Sequence, residues 1–149
     1  MILAGIYQYL GTVSGVTSLL GTPTQGQGGG LAIYFTAAPK GPATPFLVIH
    51  RIDSPPAAQT LDGVSALLDG ELQFDSYAAD AVDAEKLSRA VRNAFCPLGG
   101  PNYKGTLADG TSIQFTEVTA DLAGGYEQGD TGYLFRSILR LAAMYTEGS

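Results

Sequence analysis

The chain has 149 residues, 45% of them hydrophobic and only 15% charged, a composition that folds as one globular domain and excludes a disordered chain. Fourteen acidic against eight basic side chains leave a net charge of -6, which excludes a sequence-independent grip on nucleic acid, since that needs clustered Lys and Arg. The single cysteine, Cys96, cannot close an internal disulfide, so packing alone must hold the fold.

No run of about 18 apolar residues is present to span a membrane. The N-terminal Met1-Ile2-Leu3-Ala4-Gly5-Ile6 lacks the basic segment of a signal peptide, so export is not expected. Composition alone therefore reads as a soluble cytoplasmic domain. Glycine is concentrated in residues 21–30, 99–110 and 124–132, and such stretches are costly to order until something packs on them. The expectation is a single domain, residues 1–149, with flexible loops near 21–30, 53–70, 97–110 and 121–132.

Taken in chain order, Ile2, Ile6, Tyr9, Leu10, Val13, Val16, Leu19 and Leu20 recur at spacings of three and four, a helical stripe interrupted by Gly5, Gly11 and Gly15. This predicts a helix to about Leu10, then a looser turn or second short helix ending at Gly21. Leu31 to Thr36 is β-prone, and Ala37 to Pro45 follows as a proline-rich loop. Phe46 to Ile52 is apolar nearly throughout, as in a strand covered on both faces, and Asp53 to Gly63 reads as another loop. Glu71 to Tyr77 alternates: Leu72, Phe74 and Ser76 share one face, while Glu71, Gln73, Asp75 and Tyr77 share a face that reads as wet.

The clearest helix is Ala81 to Phe95, with Leu87, Ala90, Val91, Ala94 and Phe95 inward and Glu85, Lys86, Arg89, Arg92 and Asn93 outward. Asp80 or Asp83 can cap it, and Pro97 and Gly99 stop it. Asp109-Gly110 between two β-prone runs predicts a two-residue hairpin turn. Tyr133 to Tyr145 fits either a strand, with Phe135, Ser137, Leu139, Leu141 and Ala143 on one face, or a helix; Gly132 and the aromatic start favour the strand.

Catalytic chemistry finds little purchase. His50 is the only histidine and alternates with Val48 and Ile52, which reads as a packed, hydrogen-bonded strand residue rather than a general base. Cys96 lies at a helix C-terminus, where a thiolate is disfavoured. One His and one Cys exclude a Cys/His zinc cluster within one subunit. Neither Gly26 to Gly30 nor Gly100 to Thr106 has the strand, glycine loop, Lys and helix order of a phosphate loop. Asp62, Asp69, Glu71, Asp75, Asp121, Glu127 and Asp130 read as solvated acids rather than a glycosidase pair. No catalytic, cofactor or metal residue is therefore assigned.

One arrangement does point to a family. A helical N-terminus precedes Ile33-Tyr34 and a proline-rich loop; Pro45-Phe46-Leu47-Val48-Ile49 follows, and Leu61-Asp62-Gly63 leads into Leu72-Gln73-Phe74-Asp75-Ser76-Tyr77. The helix Ala84 to Phe95 and a final Phe135-Arg136-Ser137 strand complete the series. In order and spacing this resembles the tail terminator (tail completion) proteins of long-tailed bacteriophages and prophages. The resemblance implies an α+β fold, an antiparallel-rich sheet packed by an N-terminal and a central helix, and makes Tyr133 to Tyr145 a strand. It implies a homo-oligomer, a hexameric ring that caps the tail tube, ends its polymerisation and presents a surface to the head connector. No enzyme activity and no cofactor are implied.

On that reading the partners are further copies of the chain, the tail tube protein and the head connector protein, with no membrane. DNA passes through the ring without specific binding, and acidic charge from Asp121, Glu127 and Asp130 would keep it from sticking. Arg51, Arg136 and Arg140 are candidates for pairing with acids across subunits, or for local surface ion pairs. The location expected is the head-proximal end of the virion tail, after assembly in the host cytoplasm. A head–tail connector or neck protein is the alternative, and a small-molecule-binding domain or hydrolase a more distant one.

Overall fold

The computed structural model describes residues 2–21, 30–38, 42–56, 59–60, 63–64, 67–129 and 132–147. Two helices, α1 (Ile2–Gly11) and α2 (Ser14–Thr17), precede the strands β1 (Ile33–Phe35), β2 (Phe46–Asp53), β3 (Gln59–Thr60), β4 (Gly63–Val64) and β5 (Leu68–Ala78). Helix α3 (Ala81–Phe95) follows, then β6 (Gly105–Thr106), β7 (Ser112–Gly129) and β8 (Gly132–Thr146). Six strands form one sheet in the order β1-β2-β5-β8-β7-β6, while β3 and β4 pair separately. Among the described residues only β1 and β2 run parallel; every other neighbouring pair of the sheet is antiparallel. The α+β, antiparallel-rich architecture expected from the sequence is the one observed.

Each helix is placed by its apolar stripe. Ile2, Ile6 and Leu10 recur every fourth residue on α1, and Leu87, Val91 and Phe95 do so on α3. Both stripes lie on one sheet face against Leu47, Ile49, Leu72, Phe74, Leu139 and Leu141, and all twelve side chains are buried. At about 1.5–3 kcal/mol for each large apolar side chain buried, this contact is the main source of stability. The α3 bounds agree with the sequence reading. Asp80 supplies its cap, accepting the backbone N–H of Asp83 at 2.8 Å, and Glu85 pairs with Arg89 at 2.7 Å.

Among the described residues, the opposite sheet face is covered only at one end. There Ala32, Tyr34, Phe46 and Val48 form a second, smaller cluster against Leu20, Ala38, Tyr77 and Leu134. Strand β2 is thus enclosed on both faces from Phe46 to Ile49, as expected, but not further: β1 ends at Phe35, opposite Ile49, and Ile52 is 47% exposed.

Several expectations need correction. Residues 121–132, expected as a loop, are strand as far as Gly129 and again from Gly132, and their hairpin closes on the rung Gly129–Gly132. Three bulges, each adding one β7 residue against β8 (Gln114, Thr119 and Gly124), break the period-two alternation that would have marked this strand. The turn at Asp109-Gly110 spans three residues, not two. The Leu107 N–H donates to the Thr111 carbonyl, the Gly110 N–H donates to the Leu107 carbonyl, and Gly110 has φ 91°. Asp75 is not wet but 2% exposed. Arg92 is not fully outward: its side chain is 19% exposed and reaches Asp121 at 3.4 Å.

Within the expected loop 53–70 lie the pair β3–β4, a bridge from Pro56 to Leu68 and the start of β5, and within 97–110 lies β6. Of the 21–30 stretch, residues 22–29 fall outside the described residues.

Candidate functional site

The sheet places its polar groups in one row on the sparsely covered face. Asp75 on β5 stands between Val48 of β2 and Ile138 of β8. Its carboxylate lies 3.2 Å from His50 Nε2 and accepts the Gln73 amide at 2.9 Å. Gln73 in turn accepts the Arg140 Nε–H at 3.0 Å. The row therefore ties β2, β5 and β8 together, and it satisfies a buried acid that would otherwise be expensive to hold. The histidine sits in the setting read from the sequence, packed on a strand and hydrogen-bonded. Among the described residues no three His, Cys, Asp or Glu side chains gather in a group fit for a metal ion. Cys96 is buried, with its sulfur 3.8 Å from Thr116 Oγ1.

The residues singled out for contacts between subunits or for the lumen are spread over the sheet. Arg51 is exposed near the end of β2 and forms no ion pair among the described residues. Arg140 is 3.9 Å from Glu71 and bonded to Gln73, so its partners are within the chain. Arg136 crosses Gly124 and stands opposite Tyr77 of β5. The Tyr77 hydroxyl beside it raises the guanidinium further above its ordinary value, with the charges of Asp75 and Glu127 adding to this against desolvation. Burial pushes the Tyr77 hydroxyl up, opposed by the neighbouring guanidinium. Asp121 pairs with Arg92, and Glu127 is exposed on the outer part of the β7–β8 hairpin. Asp130 lies outside the described residues.

Of that outer hairpin the sequence singled out the acids Glu127 and Asp130 but not the aromatic residues. The last rung joining β5 to β8 is Ala78–Phe135, so Tyr126–Gly129 of β7 and Gly132–Leu134 of β8 project past the sheet as an arm. Its two sides differ. Tyr126 packs on Tyr133 (ring centroids 5.3 Å, edge to face) and on Phe135 (5.9 Å), on the side that carries the helices. Glu127 and Arg136 occupy the other side. Tyr126 is 67% exposed, Tyr133 61% and Leu122 50%. Between this aromatic side and α3 runs a groove of about 320 Å³, lined by Ala81, Glu85 and Ser88 of the helix and by Leu122, Tyr126, Phe135 and Ser137 of the hairpin. A second concavity, of about 550 Å³, opens at the far edge of the sheet along β1, lined by Tyr7, Leu31, Ile33, Tyr34, Phe35, Ala37 and Ala38. The signal that could have found the arm is Tyr126-Glu127-Gln128-Gly129-Asp130-Thr131-Gly132-Tyr133, glycine-bounded turn residues flanked by aromatics.

Exposed aromatic surface of this kind marks protein contact, and the fold with these two edges defines a structural subunit that works by touching other proteins. The comparisons with known proteins agree. The model of the family described as Tail completion protein gp17 matches residues 4–146, and the chain belongs to that family. It is a structural protein of the bacteriophage tail, located in the virion. Among solved structures, a chain from the virion of a native gene transfer agent particle has the same fold, with a TM-score of 0.56 at 20% identity, covering 96% of this chain and 92% of that one. No curated protein sequence matches it.

Proposed function

We propose that the chain assembles into a hexameric ring at the head-proximal end of the tail, where it caps the tail tube, ends its polymerisation and offers the head connector a surface to join. The observation that carries this reading is the family match across residues 4–146, nearly the whole folded domain. The geometry supports it through the two unlike sheet edges, since a ring of identical subunits needs a different surface on each side of every contact. DNA passes through the ring, and Glu127, on the side of the hairpin away from the helices, faces it, whereas Asp121 is paired with Arg92 on the helix side; a net charge of -6 per copy suits a channel that must not hold phosphate.

The test is to polymerise purified tail tube protein with and without this chain and measure tube lengths by electron microscopy. Capping shortens the tubes and leaves a ring at one end. Tubes of unchanged length and bare ends overturn the reading, and binding to head connector rings alone assigns the chain to the neck instead.

A further inference from the structure

We infer that the aromatic side of the β7–β8 arm is one half of the contact between copies, and that it docks into the concavity along β1 of the next copy. The inference deepens the ring reading and rests on it.

Charge makes the first selection. Each copy carries -6, so neighbouring copies repel, and like charges brought together across an interface cost several kcal/mol. Contact between copies is therefore favoured where both surfaces are uncharged. The aromatic side of the arm presents Tyr126, Tyr133 and Phe135, with the charged Glu85, Asp121 and Arg136 confined to the groove beside it, and the lining of the β1 concavity among the described residues, Tyr7, Ile33 and Phe35 included, is uncharged.

Shape and topology make the second. The arm runs on past the Ala78–Phe135 rung, beyond the end of β5, whereas the β1 surface is concave. β1 ends one side of the sheet, and the β7–β8 hairpin stands towards the other. A contact joining two different patches repeats head to tail and closes into a ring when the rotation permits. Chemistry makes the third. Among the described residues β1 is an edge strand of the sheet, bonded to β2 on one side, with its Phe35 carbonyl accepting the Ala37 N–H. Two tyrosines bring hydroxyls that can donate to or accept from such an edge while their rings fill the apolar lining.

Two variants of the full chain test this: Tyr126→Ser with Tyr133→Ser, which strips the arm, and Ala37→Arg, which places a charge in the concavity. Light scattering and native mass spectrometry read the assembly state, and circular dichroism with thermal melting checks the fold. Each variant alone is expected to lose the ring and keep its melting temperature. Mixed one to one, they should form dimers, because each retains the surface the other lacks.

A third protein, Tyr133→Cys with Ala37→Cys in a Cys96→Ser background, should form disulfides between chains on mild oxidation. A wild-type ring with both variants still forming rings and no disulfide between chains overturns this contact and leaves the ring reading standing. A wild-type chain that is monomeric yet cross-links through these two positions removes the ring and retains the contact. Neither assembly nor cross-linking removes both.

Discussion

A Cβ on Gly5 would stand 2.5 Å from Asp109 Oδ1 and 2.9 Å from a methyl carbon of Leu107, so α1 meets the β6–β7 turn this closely only because residue 5 has no side chain. Alanine inside a helix normally gains about 0.5–1 kcal/mol over glycine. Here Gly5→Ala is expected to lose about 1–3 kcal/mol, because the crowding shifts a carboxylate already tied to Thr111. A Cβ on Gly15 in α2 would meet nothing within 4 Å, and Gly15→Ala should stabilise by roughly 0.5 kcal/mol. Urea unfolding of the two variants reads the opposite signs.

Asp109 itself gives the fold a dependence on acid. Burial alone would raise its carboxyl, but hydrogen bonds from the Thr111 backbone N–H (3.0 Å) and hydroxyl (2.9 Å) help to hold it below the ordinary value of 3.8. A group held lower in the folded state stabilises above its unfolded value, and that stabilisation is lost as pH falls through the lower folded one. Unfolding free energy measured between about pH 5 and pH 2 should drop in the wild type and drop less in Asp109→Asn, which cannot titrate. At neutral pH Asp109→Ala should cost about 1 kcal/mol per bond lost.

Asp75 is the polar residue whose loss should be felt most. Asp75→Ala leaves Gln73 without its acceptor and opens space between Val48 and Ile138, with an expected cost of about 1.5–3 kcal/mol. Asp75→Asn keeps the shape and one acceptor and should cost less. Thermal melting of both variants against His50→Ala separates the carboxylate's contribution from that of its more exposed partner.

On the proposed ring, neutralising the exposed acid of the arm as Glu127→Gln should leave assembly intact and slow DNA passage. Ejection kinetics of particles carrying the variant provide the measurement. Unchanged kinetics would count against a channel position for Glu127.

What could be read directly from the residues was whatever repeats with a simple period. Ala81 to Phe95 has one apolar stripe, an acidic cap and a Pro–Gly stop, and the helix occupies those bounds. Phe135, Ser137, Leu139, Leu141 and Ala143 alternate on one face of β8, and β8 has no inserted residue to disturb them. β7 has three, and each resets which residues face inward, so alternation fails over the longest strand of the fold. Gly124 and Gly125 then read as loop, although one lies beneath Arg136 and the other has φ 79° within the ladder.

Asp75 was misread for a different reason. A charged residue at an outward position is usually solvated, and only the fold brings His50, Val48 and Ile138 of the neighbouring strands close enough to enclose it. The arm was illegible for the same cause: its tyrosines stand out as surface only once β5 is seen to stop at Ala78.

That early stop of β5 has a consequence for change over time. Whatever lies past Ala78–Phe135 is held by a single hairpin and lies outside the two hydrophobic clusters apart from the edge contribution of Leu134. Lengthening, trimming or resurfacing that extension leaves the folding of the remainder nearly untouched. Adhesion and stability are thereby inherited separately, and a lineage can retune how its copies meet without renegotiating how each one folds.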